Sequence, residues 1–370
     1  MTAPVSIVIP NWNGVHLLKQ FLPSVISAAR SYDSRSRSRS EIIVVDDASS
    51  DDSIEWLIGA GFSEIQRAGP RSLAPEQRSN ATPTASSEGD DTPELFFIRN
   101  PANSGFSLSC NRGMSAARHG LVLLLNNDVD ATELAIEPLV ENFGDASVFA
   151  THCRVFDLNT GRECGSGKLG GFSRGFLRVH RSYAAIGSPH AVGGAGLISL
   201  FAGGGSAMFD RKKFIELGGF DPLFTPYYWE DVELSYRAWK RGYVVLYEPR
   251  AITHHLISST IGTLNRNRTR RIRERNRLML NWIHLHDRGM LAGNLLWVMV
   301  LAVTAPFRLR MGFLVSLAAA IRRLGAIRKR RRHEKQASFR TDKEILELFD
   351  SFAARSDIRA FDDYSDLVEG

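Results

Sequence analysis

Two aspartates follow a continuous apolar run in the middle of the chain. Residues 121–130 read LVLLLNNDVD, so an apolar run typical of a strand buried on both faces is followed by two asparagines and then by Asp128 and Asp130. If the backbone stays extended, the two carboxylates point to the same side and can bind one divalent metal. The alternative is a turn or helix N-cap rich in Asn and Asp.

A second acidic pair, Glu230 and Asp231, begins an amphipathic helical pattern. The structural interpretation is that the helix dipole stabilises carboxylates at this position. The aromatic residues at 227–229 favour a functional interpretation, because an aromatic wall beside a carboxylate suits the stacking of a sugar ring and the exclusion of water.

Two further features lie in the same half of the chain. Glycines at 203–205 permit the close approach of a ligand to the backbone, although such clusters are often only loops. His254 and His255 follow a predicted strand at 243–247. A histidine is more often structural than a metal ligand, but these two lie after a strand end, as the acidic residues do.

Strand-like and helix-like patterns alternate through the first 130 residues. Apolar runs at 5–10, 41–45, 95–98 and 121–125 are each followed by polar residues. This pattern predicts an α/β fold with a mostly parallel central sheet flanked by helices. The strand ends then collect four side chains on one rim, where a nucleotide-binding crevice is expected: Asn11, Asp47, Asn103 and Asp128.

Two segments interrupt this pattern. Residues 31–40, SYDSRSRSRS, are poor in apolar side chains and predict a solvated loop. Residues of about 67–93 are rich in Pro, Ser, Ala and Gly, and they predict a flexible insertion within one domain.

The composition, with 44% hydrophobic and 23% charged residues among 370, allows one large domain or two smaller ones. Three cysteines without close paired spacing indicate neither a disulfide framework nor a structural zinc site. No secretion signal precedes the first strand pattern, so a cytoplasmic location is expected.

Eight segments, taken together and in their order along the chain, resemble those of the family 2 glycosyltransferases, inverting enzymes with the GT-A fold. The rhamnosyl- and galactofuranosyl-transferase-like branch is the most similar. The segments are VSIVIPNWN (5–13), EIIVVDDASSDDS (41–53), NPANSGFSLSCNRGM (100–114), LLLNNDVD (123–130), GGGSAMF (203–209), GGFD (218–221), WEDVELSYRAWKRGY (229–243) and EPRAITHH (248–255).

The resemblance implies a set of donor contacts. Asp47 would bind the nucleotide base, and the backbone from Pro10 through Asn11 to Trp12 would line the base pocket. Asn103 and Gly105 would lie near the ribose or diphosphate. The other residues implied to contact the nucleotide sugar are Asn127, Asp128, Gly204 and Trp229.

The resemblance also implies a metal and a base. Asp128 would be the metal-binding aspartate, completed by Asp130 and His254, with His255 as the alternative if the loop is shifted by one residue. Oxygen ligands with one imidazole suit Mn²⁺ or Mg²⁺, and the imidazole favours Mn²⁺. Asp231 would be the general base, with its pKa raised by neighbouring Glu230.

The expected reaction moves a sugar from a dTDP- or UDP-linked donor, with rhamnose favoured, to a saccharide or lipid-linked acceptor in cell-envelope polysaccharide synthesis. The alternatives are a catalytically degenerate glycan- or nucleotide-binding protein and a nucleotidyltransferase. A nucleotidyltransferase is expected to have a glycine-rich, arginine-containing loop after the first strand, where this chain has NWNG.

Three units are predicted: a transferase domain at 1–262, a basic and apolar helical region at 263–335, and a C-terminal helix and tail at 336–370. Residues 290–307 and 311–321 carry no charge. They are interpreted as helices in or on a membrane, held by arginines at the cytoplasmic face of the inner membrane. The alternative is a pair of core helices, and nucleic-acid binding is not expected.

Overall fold

A computed structural model describes residues 3–65, 92–185, 196–256 and 265–362. The predicted insertion at about 67–93 lies outside the described residues except for its last two positions. Within the described ranges the chain forms thirteen strands and eleven α-helices.

Five parallel strands form one half of a 10-stranded sheet. They are β1 (Val5–Asn11), β2 (Glu41–Asp46), β3 (Ser63–Glu64), β4 (Glu94–Arg99) and β5 (Leu121–Leu125), in the order β3-β4-β2-β1-β5. They alternate with helices α1 (Val15–Ser36), α2 (Ser53–Gly59) and α3 (Phe106–Ala116). The register of β1 and β2 pairs Asn11 with Asp46, so both strands end at the same rim.

The other half of the sheet mixes directions. It contains β6 (Val129–Ala131), β7 (Val148–Asp157), β8 (Glu163–Gly165), β11 (Ser206–Asp210) and β12 (Val244–His255). Strand β11 is antiparallel to β5 and β7, β12 is parallel to β7, and β6 is antiparallel to β12. A separate antiparallel sheet contains β9 (Lys168–Ser173), β10 (Phe176–Ala185) and β13 (Ile358–Asp362). The predicted central, mostly parallel sheet is confirmed.

The apolar run before Asp128 is buried on both faces, as predicted. Leu121, Leu123 and Leu125 pack in a core with α1 and α2, whereas Val122 and Leu124 pack in a second core with α3. A run without polar positions is therefore explained by helices that cover both sides of β5.

The prediction of a solvated loop at 31–40 is wrong for residues 31–36, which continue helix α1. The hydroxyl of Tyr32 donates to the carbonyl of Ala3 at 2.6 Å. The buried Asp33 carboxylate accepts hydrogen bonds from the backbone and side chain of Ser40. Ser38 also donates to Asp33, so two of the serines are partners of one buried acid, a role that composition does not reveal.

The remaining helices follow in chain order. They are α4 (Glu137–Glu141), α5 (Arg211–Glu216), α6 (Glu230–Lys240), α7 (Arg266–His284), α8 (Arg288–Thr304), α9 (Met311–Ile321), α10 (Leu324–Ala337) and α11 (Asp342–Ala353). In the described part of the chain, none of the helices has the length and apolar character needed to cross a membrane. The predicted boundary at 262 lies outside the described residues and that at 335 falls inside α10, so the division into units stays a prediction.

Candidate active site

The rim formed by the ends of β1, β2 and β5 is joined by side-chain hydrogen bonds. Asn11 donates from Nδ2 to Oδ1 of Asp46 at 3.1 Å and accepts at Oδ1 from Nδ2 of Asn127 at 2.8 Å. Gly14 lies against these amides, and a Cβ there would be 2.3 Å from the Asn127 side chain. Asn11 and Asn127 therefore connect the three predicted rim strands.

The Asp47 carboxylate organises the loop before α3. Its Oδ1 accepts hydrogen bonds from Nδ2 of Asn100 at 2.6 Å and from the backbone and hydroxyl of Ser104 at 2.9 and 2.8 Å. Its Oδ2 accepts from the Gly105 backbone at 2.7 Å. Asp47 is buried, and Oδ2, which accepts one hydrogen bond from the described part of the chain, keeps the greater capacity to accept a donor group from a ligand.

The other residues predicted around the nucleotide differ in exposure. Pro10 is buried within β1, whereas the Trp12 side chain is 51% exposed at the rim. Asn103 is exposed in the loop that Asp47 organises. An exposed tryptophan at a sheet rim presents an aromatic face on which a base can stack.

Each rim aspartate of the 121–130 segment lies beside one histidine of β12. Nε2 of His255 lies 2.9 Å from Oδ1 of Asp128, which is 7% exposed. Nδ1 of His254 lies 3.7 Å from Oδ2 of Asp130, too far for a hydrogen bond. The strand register explains this pairing, because β6 and β12 place Asp130 opposite His254.

The structure does not bring the predicted metal trio together. Among the residues it describes, no three His, Cys, Asp or Glu side chains form a group that could hold a metal ion. Asp128 and His255 nevertheless offer a fitting pair of donors. Their 2.9 Å separation suits two neighbouring ligands of one ion, which lie about 3 Å apart when each is about 2.1 Å from the metal.

The acidic pair at the start of α6 is strongly perturbed. Glu230 is 7% exposed, and its Oε2 has no hydrogen-bond partner among the residues that the structure describes. Burial and, secondarily, the Asp231 charge raise the pKa of Glu230. Burial also raises the pKa of Asp231, while hydrogen bonds from the backbone of Val232 and Gly204 oppose the rise. A raised pKa moves a carboxylate toward the range in which a general base is most effective.

A glycine-rich loop joins the two acidic segments. The Asn126 backbone donates to the carbonyl of Gly205 at 3.0 Å, and a Cβ on Gly205 would be 2.8 Å from the Asn126 side chain. On the other side of the loop, the backbone N–H of Ala202 donates to the hydroxyl of Ser235 on α6 at 3.2 Å. The segment that carries Asp128 and the helix that begins with the pair at 230–231 therefore meet at this loop.

The loop at 224–229 enters α6 through an unusual backbone. Tyr228 and Trp229 both have φ of 73°, a conformation that costs about 1–3 kcal/mol in a bulky residue. Nδ2 of Asn276, on α7, donates to the carbonyls of Phe224 at 2.7 Å, Tyr227 at 3.1 Å and Tyr228 at 2.8 Å. A single buried amide thus holds three carbonyls of the strained loop.

Asn276 and its neighbour Arg275 are the residues that the sequence analysis missed. Arg275 is 9% exposed and donates to the carbonyl of Thr225 at 2.5 Å and to Oδ1 of Asn276 at 2.7 Å. Both lie in a helix whose many arginines suggested only a basic surface. The feature of the sequence that could have pointed to them is an adjacent Arg and Asn within the amphipathic helix α7.

Helix α6 is anchored by buried ion pairs behind the acidic pair. Glu233 contacts Nη2 of Arg237 at 2.7 Å and Nε2 of His284 at 2.8 Å, and all three side chains are fully buried. These contacts hold the pKa of Glu233 below its usual value despite burial. Glu230 and Glu233 therefore lie on one helix with opposite electrostatic environments.

Comparison with known proteins agrees with this arrangement. Residues 121–322 match the family described as Glycosyl transferase family group 2. The fold is similar to that of GalNAc-T7 in a structure with UDP, GalNAc and Mn²⁺, at 17% identity and a TM-score of 0.52, over 77% of this chain and 49% of that one. It is also similar to Staphylococcus aureus TarS 1-349 in complex with UDP-GlcNAc, at 10% identity and a TM-score of 0.50, over 94% of this chain and 91% of that one.

This chain thus spans about half the length of the GalNAc-T7 chain. No curated protein matches the sequence. The family match covers more than half of the 370 residues and includes both acidic segments and the β12 histidines. The chain belongs to glycosyl transferase family group 2.

Proposed function

We propose that this chain is an inverting glycosyltransferase that moves a sugar from a nucleoside diphosphate to a hydroxyl of a saccharide or lipid-linked acceptor. The observation that carries the proposal is the Glu230–Asp231 pair, which has raised pKa values and begins the helix that contacts the glycine loop beside the Asp128 segment. The GalNAc-T7 and TarS structures, which contain UDP and UDP-GlcNAc respectively, support a nucleotide-sugar donor.

In this proposal Asp231 is the general base. It takes the proton of the acceptor hydroxyl as the oxygen forms a bond to the anomeric carbon, and the bond from that carbon to the diphosphate breaks on the opposite face. The configuration at the anomeric carbon is therefore inverted. Glu230, whose pKa is also raised, holds a proton beside Asp231 and so limits repulsion between the two carboxyl groups.

Asp128 and His255 would hold a Mn²⁺ or Mg²⁺ ion. His255, the alternative in the sequence analysis, thus replaces His254 as the proposed histidine ligand. A divalent ion bound there supplies positive charge near the diphosphate oxygens, where negative charge grows as the leaving group departs. Asp130 and His254 lie next to this pair on the paired strands β6 and β12. They remain candidates for contacts with water or substrate at the same rim.

The nucleotide would occupy the rim between β1, β2 and the loop before α3. Asp47 would accept a hydrogen bond from the base through Oδ2, and Trp12 would provide a stacking surface. Asn103, Gly105 and Gly204 would approach the ribose and diphosphate. Uracil and thymine present similar edges to Asp47, so UDP- and dTDP-linked donors both fit, and we propose rhamnose as the sugar.

We propose the rhamnosyl- and galactofuranosyl-transferase-like branch as the subgroup and cell-envelope polysaccharide synthesis, at the cytoplasmic face of the inner membrane, as the setting. The 1–262 unit would carry the chemistry, while residues from 263 onward would support it. The contacts between Asn276 and the loop at 224–229 support a close functional connection between the two.

A donor screen tests the proposal. The full chain is titrated by calorimetry with a panel of UDP-, dTDP- and GDP-linked sugars, with Mn²⁺ and with chelator. We expect one donor to bind in a metal-dependent way and to be hydrolysed slowly by the wild type but not by the Asp231→Asn variant. Absence of binding by any donor to a folded protein would favour a degenerate binding protein, and release of inorganic diphosphate from a nucleoside triphosphate would favour a nucleotidyltransferase.

A further inference from the structure

Helix α8 presents an apolar stripe to solvent. After its first turn, the exposed positions that recur at helical spacing are apolar: Ala292, Leu295, Leu296, Met299, Val300 and Val303. A helix on the surface of a soluble domain normally carries polar residues on its outer face. Here the polar Asn294 faces inward, where it accepts from Nε1 of Trp282 at 3.1 Å and donates to the carbonyl of Gly175 at 2.7 Å.

The exposed apolar surface continues beyond α8. Phe307 and Leu309, in the turn that follows, are 86% and 92% exposed, and Met311, Val315 and Ile321 extend the surface along α9. Single exposed apolar residues are normal on proteins, but a surface that runs along two helices and their connection marks an interaction site. We call residues 288–321 the α8–α9 hairpin.

Arginines border this surface. Arg308 and Arg310 lie in the turn beside its most exposed residues, and Arg322 and Arg323 follow the end of α9. No charged residue occurs between Met290 and Phe307. An apolar face with a basic border is complementary to a lipid bilayer, in which anionic headgroups cover an apolar interior.

The dimensions decide how the hairpin meets a bilayer. Helix α8 has 17 residues and is therefore about 25 Å long, shorter than the hydrocarbon core of about 30 Å. Its inner face is also occupied by contacts with Trp282 and Gly175. A helix fixed on one side to the protein and apolar on the other is suited to lie parallel to the membrane surface.

We propose that the α8–α9 hairpin lies in one leaflet of an anionic membrane, with its apolar stripe among the acyl chains and its arginines at the headgroups. The Ser316 hydroxyl of α9 lies 3.1 Å from the carbonyl oxygen of Arg271 and 3.1 Å from Oε2 of Glu274 and can donate to either, which ties the hairpin to α7. Helix α7 carries Asn276, which holds the loop before the acidic pair. If the proposed function holds, this placement suits a lipid-linked acceptor; the membrane contact itself does not depend on that function.

Vesicle co-sedimentation of the full chain tests the inference. The vesicles contain phosphatidylcholine alone or phosphatidylcholine with phosphatidylglycerol. We expect the wild type to bind mainly the anionic vesicles, and a Leu296→Glu/Val303→Glu variant to bind at least tenfold more weakly. The matched control is Ile58→Glu, because Ile58 on α2 is 57% exposed and Leu296 is 56% exposed, and this control should bind like the wild type.

The arginines are tested separately. An Arg308→Gln/Arg310→Gln variant should lose about fivefold in affinity per arginine for anionic vesicles, because each basic residue contributes about 1 kcal/mol at such a surface. Its binding to neutral vesicles should not change. Equal loss of binding to both kinds of vesicle would overturn the assignment of the arginines to headgroups.

Two further outcomes would overturn the proposal. The first is that the wild type binds neither the neutral nor the anionic vesicles. The second is that the wild type and the Leu296→Glu/Val303→Glu variant, called the stripe variant, bind equally well. Sedimentation equilibrium without lipid then shows whether the surface instead joins two copies, in which case the stripe variant is monomeric and the wild type dimeric. Calorimetry with the selected donor on the same samples tests the transferase proposal separately. Donor binding without vesicle binding would contradict the membrane proposal alone.

Discussion

The imidazole of His255 lies 2.9 Å from the carboxylate of Asp128, although 127 residues separate them in the chain. His254, its neighbour on β12, is 3.7 Å from Asp130 instead. We therefore predict that His255→Ala weakens Mn²⁺-dependent donor binding at least tenfold, because the ion loses a ligand. Calorimetry with and without Mn²⁺ measures this effect.

The matched control is His254→Ala, which removes an imidazole from the next position of the same strand. It should reduce the metal-dependent part of the affinity much less. The assignment of His255 fails if His254→Ala has the larger effect, and that result would restore the ligand set expected from the sequence.

Replacement of the proposed base should separate binding from chemistry. We expect Asp231→Asn to lower kcat by about 10²- to 10⁴-fold, the usual contribution of a general base, with donor affinity within about twofold of the wild type. Steady-state kinetics and donor calorimetry on one preparation give both quantities. A variant with wild-type kcat would show that another group takes the proton.

The pH profile should report the same residue. Because burial raises the pKa of Asp231, kcat/KM should fall in mildly acidic solution. The fall should occur at a higher pH than it would if the base had the ordinary pKa of an aspartate. The profile is measured with a donor whose affinity does not change over this range. A rate that stays constant down to the usual pKa of aspartate contradicts the predicted shift.

Glu230 and Glu233 should have opposite effects on stability. The folded pKa of Glu230 is raised, so its contribution to stability is present in acid and is lost as the pH rises through the folded pKa. Glutamine cannot ionise, so Glu230→Gln avoids the loss of stability that ionisation of the buried carboxyl group causes. The variant should therefore be more stable than the wild type above neutral pH, by about 1 kcal/mol or more. Urea unfolding as a function of pH measures the difference, which should shrink in acid.

Glu233→Gln is the control on the same helix. Its folded pKa is lowered, so its contribution is present above the unfolded pKa and is lost as the pH falls. This variant leaves Arg237 and His284 buried without their acid and should lose about 3 kcal/mol or more at neutral pH. Destabilisation by both variants would contradict the assigned environments.

Asn276 is predicted to position the loop at 224–229. Asn276→Ala should lower kcat/KM at least tenfold, because Tyr228 and Trp229 lose the partner that holds their strained backbone. The control is Asn281→Ala on the same helix, whose equally buried side chain accepts from the backbone of Leu177. Thermal unfolding and kinetics should show destabilisation in both variants but a large loss of activity in Asn276→Ala alone.

Much of the fold could be predicted because its signals are local. The apolar run of β5 follows from burial on both faces, and the alternation of β1, β2 and β4 with helices follows from periodicity over a few residues. The acidic pairs and the glycine loop are visible as residue types beside strand and helix ends. These features together determined the fold class and the positions at which a site should be sought.

The tertiary structure alone decided which of these residues meet. Neighbouring strand residues point to opposite faces, so a register change of one position exchanges His254 with His255, and β12 contains a register shift between Glu248 and Ile252. Asn276 holds a loop some 50 residues earlier, and the buried Asp33 accepts from Ser38 and Ser40 in the segment after α1. Such partnerships depend on how elements pack, and no local pattern contains that information.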